Sequence, residues 1–173
     1  MKLRKWLRNR ELKRLQKQKS NTYPGYDRCQ RVAVFFTAGQ PNDQQIKQFE
    51  KRLQTEGKEV FLLAYFPYKK KEQAASFEFP NYASNEVNWL SKPNSEDFNA
   101  WVGQEYDAFV DLNTSAEKSF AFVRSMINAK LCIGFEAEKQ PWADVSLKLN
   151  PRKDFERAQE EILKYLKFIN NAS

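Results

Sequence analysis

Histidine is absent from the 173 residues of this chain. Its absence removes the commonest general base at neutral pH, the Ser–His and Cys–His nucleophile pairs, and most zinc and iron sites. Glycine is scarce, with five in all. A loop that cradles phosphates needs several glycines close together, so that the backbone can approach the ligand. Neither G-x-G-x-x-G nor G-x-x-x-x-G-K-[ST] occurs. The two cysteines, Cys29 and Cys132, lie far apart and lack zinc-ligand spacing; no disulfide is expected between them in an α/β body. No apolar run approaches the ~20 residues that span a bilayer. Residues 1–20 lack the apolar centre of a secretory signal. These absences predict a cytoplasmic, non-enzymatic protein with no resident metal or cofactor.

Positive charge, by contrast, is abundant and unevenly placed. The formal net charge is +7. Residues 1–20, MKLRKWLRNRELKRLQKQKS, hold nine cations against the single acid Glu11. The other 153 residues hold twenty cations against twenty-one acids, so the body is close to neutral. A basic appendage on a neutral body points to a polyanion, either nucleic acid or an anionic membrane surface. The plainer alternative is a solvated helix that aids solubility. Residues 2–19 favour helix, with neither Gly nor Pro. At helical spacing Leu3, Trp6 and Leu7 share one side, while Leu12 and Leu15 share another. One patch is free to dock on the body while the other meets a partner.

Pro24-Gly25 marks a turn after this helix, and residues 21–30 read as a linker. The body, residues 31–170, alternates strand and helix patterns. RVAVFFT and KEVFLLAYFP are continuous apolar runs, as expected of strands covered on both faces. Between them QQIKQFEKRLQTEG places Ile46, Phe49 and Leu53 on one helical face, with Asp43 as the expected cap and Gly57 as the stop. A strand–helix–strand unit of this length predicts a parallel pair with a right-handed crossover. SFEFPNY and EVNWLSKP are read as short strands, and NSEDFNAWVG as a helix capped by Asn94 or Ser95. DAFVDL, KLCIGFE and DVSLKLN are strands, SAEKSFAFVRSMINA is a helix, and Pro151 starts a closing helix over 152–170. The expected fold is a three-layer α/β sandwich with a mainly parallel, Rossmann-like sheet of five or six strands, preceded by the basic helix.

In such folds, ligands bind at the carboxyl ends of the strands. Thr37, Asp43, Asp111, Asn113, Thr114, Ser115 and Glu136 fall there. Thr37, Asp43, Asp111 and Asn113 form the candidate pocket. Asp111 and Asp43 also suit turn or cap roles, and that reading is favoured, because neither has a partner base or metal-ligand set. Trp89 and Trp142 stand beside loops. Both are expected to pack over the sheet edge, with stacking on a ligand base or ring as the alternative. Lys69, Lys70 and Lys71 form a second basic cluster.

Two resemblances extend this reading. YDAFVDLNTSAEKSFAFVRSMINAKLCIGF, together with RVAVFFTAGQPND and its Asp43, resembles the N-terminal Rossmann-like half of heptosyltransferase-type glycosyltransferases. That likeness implies the fold and a nucleotide- or sugar-handling ancestry. Such enzymes use a second domain for the nucleotide sugar, and this chain lacks room for one. KLRKWL, NWLSKP, YDAFVDL and AKLCIG resemble, over nearly the whole chain, a bacterial family of small proteins of uncharacterised function. This implies a single cytoplasmic α/β domain and assigns no activity.

The reading best supported by sequence is a binding module. Lys2, Arg4, Lys5, Arg8, Arg10, Lys13, Arg14, Lys17 and Lys19 are expected to contact phosphates of structured RNA, ribosomal RNA included. No DNA-reading motif is present. The alternatives are peripheral membrane attachment through Leu3, Trp6 and Leu7, a protein partner held by the same three residues, or a reduced glycosyltransferase-like protein that binds a nucleotide or sugar.

Overall fold

A computed structural model describes residues 2–15, 22–68, 77–135 and 142–169. Among these, six parallel strands form one sheet: β1 (Arg31–Thr37), β2 (Glu59–Phe66), β3 (Asn81–Ala83), β4 (Glu105–Asp111), β5 (Asn128–Phe135) and β6 (Val145–Leu147). Their order is β3-β2-β1-β4-β5-β6. The chain therefore builds outward from β1 in one direction, then returns and builds outward in the other. The expected Rossmann-like α/β sandwich is the fold observed. β1 pairs with β2 from Arg31↔Glu59 to Thr37↔Tyr65, and with β4 from Val32↔Ala108 to Phe35↔Asp111.

The helices of the described residues are α1 (Lys2–Leu15), α2 (Asp43–Thr55), α3 (Glu96–Val102), α4 (Phe120–Met126) and α5 (Phe155–Phe168). β1 is apolar from Val32 to Phe36 because its two faces feed two cores. Val32, Val34 and Phe36 pack with Ile46, Phe49 and Leu53 of α2 and with Phe155, Ala158, Ile162 and Leu166 of α5. Ala33 and Phe35 face the opposite way, toward Phe98 and Trp101 of α3 and Phe120 and Val123 of α4. Phe35 sits edge-on to Phe120 at 5.0 Å and stacks on Tyr82 at 6.2 Å. Aromatic pairs of this geometry add about 1 kcal/mol each beyond area burial.

Several local expectations are corrected. The cap of α2 is Asn42, whose side chain accepts from Gln45 N–H while Gln45 reaches back to the Asn42 N–H. Asp43 is instead the first helical residue, where its charge favours the positive helix end. EVNWLSKP forms a tight turn with one bridge, Val87↔Pro93, and no strand. The fourth helix begins at Phe120 and is shorter than expected, because 115–119 turn before it. Pro151 lies in a turn ahead of α5, and Asp154 caps that helix by accepting from Arg157 N–H. Gly57 ends α2 as expected, with φ +79°.

The segment before β1, read as a linker over 21–30, packs on the body from Tyr23 onward. Tyr23, Tyr26 and Cys29 are buried in the α2/α5 core. The Tyr23 hydroxyl donates to the Leu166 carbonyl and the Tyr26 hydroxyl to the Glu56 carboxylate. Lys58 is 7% exposed; its ammonium donates to the Tyr26 carbonyl at 2.6 Å and lies over the Tyr26 ring. Both cysteines are buried, and no disulfide joins them.

Candidate functional site

The reversal of strand order between β1 and β4 opens, in α/β folds, the crevice that receives a ligand. Three of the four residues predicted there converge. Thr37 ends β1, Asp111 ends β4, and Asn113 follows two residues later. The Thr37 hydroxyl donates to Asn113 Oδ1 at 2.6 Å. Asn113 donates its backbone N–H (2.9 Å) and its side-chain amide (2.8 Å) to Asp111 Oδ1. Arg124 of α4 donates through Nε to the other Asp111 oxygen at 2.7 Å.

Asp111 is fully buried, Asn113 is 1% exposed and Thr37 6%. Their polar atoms are turned on one another. This is the turn role expected of Asp111, since a carboxylate accepting from the N–H two residues on closes an Asx-turn. Arg124 adds an ion pair that sequence reasoning missed. A signal existed: Arg124 falls four positions after Phe120 and so shares its apolar helix face, where a guanidinium needs a buried counter-charge. The guanidinium also lies 4.7 Å from the Trp142 ring. Trp142 packs on the sheet, but over Phe109 of β4 and Gly134 of β5 and not over its edge. It seats so closely on Gly134 that a Cβ there would come within 2.4 Å of its ring.

Asp43 does not join this cluster. It is exposed and lines a shallow hollow of about 510 Å³ with Gly39, Asn42 and Tyr68. Thr114 is exposed and Ser115 partly covered. Glu136, Lys69, Lys70 and Lys71 lie outside the described residues, as do Lys17 and Lys19. A larger groove of about 770 Å³ runs along the first residues of β2, ahead of its pairing with β3 and between α2 and α3, away from the strand carboxyl ends. Among the described residues, no group of three or more Cys, Asp or Glu side chains is arranged to hold a metal ion.

The basic helix presents a different surface. α1 lies against α4. It buries no residue completely, but Leu7, Arg8, Glu11, Leu12 and Leu15 are partly covered. These positions recur at helical spacing and so share one face. Leu7, which the spacing groups with Leu3 and Trp6, therefore goes with Leu12 and Leu15. The exposed remainder carries Lys2, Arg4, Lys5, Arg10, Lys13 and Arg14, with Leu3 and Trp6 among them. The Arg10 guanidinium lies 5.6 Å from the Trp6 ring.

Charge on this face is scarcely compensated. Arg14 forms a forked pair with Glu11, at 2.7 and 3.0 Å, within the helix. That hydrogen-bonded guanidinium holds the Glu11 carboxyl below the usual carboxylate range, and the Lys92 ammonium contributes a smaller pull. Among the described residues, no carboxylate of the body pairs with an α1 cation. The body's own acids are engaged elsewhere: Asp107 with Lys130, Glu160 with Arg52, and Glu56 with Lys167.

No curated protein and no solved structure matches the chain. One family model does match, and its span takes in α1 together with the sheet and its helices. On that match, over residues 2–169, the chain belongs to a family of unknown function, DUF6913.

Proposed function

We propose that this protein is a non-enzymatic binding module whose helix α1 engages the phosphates of structured RNA, with ribosomal RNA as one such partner. The observation that carries this reading is the exposed face of α1. Lys2, Arg4, Lys5, Arg10 and Lys13 project from it, and among the described residues no carboxylate neutralises them. Arg8 and Arg14 border that face, and Lys17 and Lys19 extend the basic run in sequence. The scaffold reading is supported by the strand-reversal point, where Thr37, Asn113 and Asp111 are hydrogen-bonded to one another and Arg124 pairs with Asp111. A nucleotide or sugar would have to break that network to enter, which argues against the reduced glycosyltransferase-like alternative.

The second reading, attachment to an anionic membrane, draws on Leu3 and Trp6, which are 68% and 55% exposed. It is weaker because Leu7, Leu12 and Leu15 are turned toward the body. Two apolar side chains bury little area in an interface that rewards a continuous stripe.

The test is salt-dependent binding of a fluorescent RNA hairpin to the full chain. At a slope of about 0.9 per phosphate contact, four contacts predict roughly a hundredfold loss of affinity for a fourfold rise in salt. Replacing Lys2, Arg4, Lys5, Arg10 and Lys13 with Gln should abolish both the binding and the salt slope. Unchanged binding by that variant overturns the proposal. Binding to phosphatidylglycerol vesicles that survives high salt, with no binding to the hairpin, favours the membrane.

A further inference from the structure

Trp89, expected from sequence to pack over the sheet, is instead 61% exposed. The turn that carries it is closed by hydrogen bonds at every side. Asn88 N–H donates to the Lys92 carbonyl and Ser91 N–H to the Asn88 carbonyl, each at 2.8 Å. The Asn88 side-chain oxygen accepts from Leu90 N–H at 2.9 Å and from Lys92 N–H at 3.1 Å. Ser91 is held at φ +74°, a conformation that costs a non-glycine residue about 1 kcal/mol or more. A backbone fixed this firmly around an exposed indole is built for display. A tryptophan on a slack loop would cost the backbone its freedom on binding, and the backbone of this turn is already ordered.

The turn shares a face with the basic helix. Val87, at its root, packs in the same apolar cluster as Phe120 and Val123 of α4, and α1 lies against α4. The strand leading into the turn is tied to the start of α4, because the Tyr82 hydroxyl and the Ser119 hydroxyl are hydrogen-bonded at 3.1 Å. Lys92 closes the turn and places its charge within electrostatic reach of Glu11 on α1. The turn and α1 therefore lie on the same side of the sheet, where α4 adjoins both, and that side carries a row of cations and an exposed aromatic plane. In a duplex the bases are stacked on each other and present only edges. In a single strand or loop they offer faces, on which a tryptophan can stack without regard to sequence.

We propose that Trp89 is a base-stacking residue of the α1 surface, so that the RNA recognised is unpaired, in single strands or loops, with its phosphates on α1 and Lys92. This rests on the RNA reading above and narrows it from charge alone to a class of RNA. The test compares a twelve-nucleotide oligouridine with a twelve-base-pair RNA duplex, by fluorescence anisotropy at one salt concentration, on the full chain and on W89A and W89F. The indole is exposed, so neither variant should disturb folding.

The expected result is tighter binding of oligouridine than of duplex, a loss of about tenfold on oligouridine for W89A, no change on duplex, and retention by W89F. Equal oligouridine affinity for W89A and the parent chain overturns the stacking role. If the α1 glutamine variant still loses binding in that case, the polyanion reading stands and only the stacking inference falls. Failure of the parent chain to bind either RNA overturns both. A W89A defect on phosphatidylglycerol vesicles and not on oligouridine overturns it in favour of a membrane contact.

Discussion

Asp111 shows how a single residue can look catalytic and be structural. A carboxylate at the end of a central strand, before a helix, sits where α/β enzymes keep their chemistry. Here both of its oxygens are spent, one on the two Asn113 donors and one on Arg124. Burying this pair costs desolvation, and the pair is stable only while both partners are present. Replacing Arg124 with Met should therefore lower unfolding stability by about 3–5 kcal/mol, as measured by urea denaturation. The double variant D111N/R124M should recover much of that loss. Its introduced amide oxygen would still accept from Asn113, and no charge would remain at this site. A single variant within 1 kcal/mol of the parent would show the pair to be dispensable. Thr37, Asp111 and Asn113 were legible in the sequence as residues at strand ends. Arg124 became their partner only when α4 was laid over β4, a contact no local pattern encodes.

Among the elements, α1 and the segment after it differ in how far they depend on the body. α1 has no fully buried residue and lies against the outside of α4. Residues 23–29 put Tyr23, Tyr26 and Cys29 inside the α2/α5 core. Deleting residues 1–15 should leave a cooperative transition with a melting temperature within about 4 °C of the parent, since roughly 1 kcal/mol corresponds to 2–4 °C in a chain of this size. Deleting residues 1–30 should abolish cooperative unfolding, because it empties three core positions. Scanning calorimetry on the two truncations distinguishes the cases, and equal effects would contradict this division. The tyrosines and Pro-Gly of 22–30 read as a linker because they have neither helical nor strand period. Their burial comes from contact with residues far along the chain, Leu166 and Glu56 among them. In the same way EVNWLSKP has the apolar content of a strand, but the Asn88 side chain claims the backbone donors of Leu90 and Lys92 and folds the segment into a turn.

For the whole molecule, the network of buried and paired groups fixes a pH profile. On the acid side, the Lys167 ammonium bonded to Glu56 and the Arg52 guanidinium bonded to Glu160 hold those carboxyls below their ordinary value. At Asp107 burial pushes upward, but Lys130 and the backbone donors of Gln30 and Arg31 together outweigh it and the carboxyl is lowered. Such groups bind protons more weakly when folded than when unfolded. Their stabilisation is full above about pH 5 and is lost as pH falls through the folded values. Glu50, raised by burial, opposes this in part. On the alkaline side, burial pushes Tyr106 up to about 12 and raises Tyr23, Tyr26, Tyr65, Tyr82 and Cys29 as well. The folded chain keeps these groups neutral while the unfolded chain ionises them, so stability is present below their ordinary values and is lost as pH rises past about 9 to 10. Urea midpoints from pH 3 to 11 should form a plateau with a fall at each end. Midpoints still level at pH 11 would contradict the burial of these hydroxyls.

The sequence by itself determined the alternation of strands and helices, the doubly covered central strand, the concentration of positive charge in residues 1–20 and the want of histidine and phosphate loops. Each of these is a property of composition or of local period, and such properties survive without knowledge of distant contacts. Tertiary structure alone decided which leucines of α1 face the body, that the strand-reversal point is closed by Arg124, that Tyr23 and Tyr26 belong to the core, and that Trp89 is left exposed to solvent. Those outcomes depend on pairings between residues tens of positions apart, which form only when the sheet has brought its helices together.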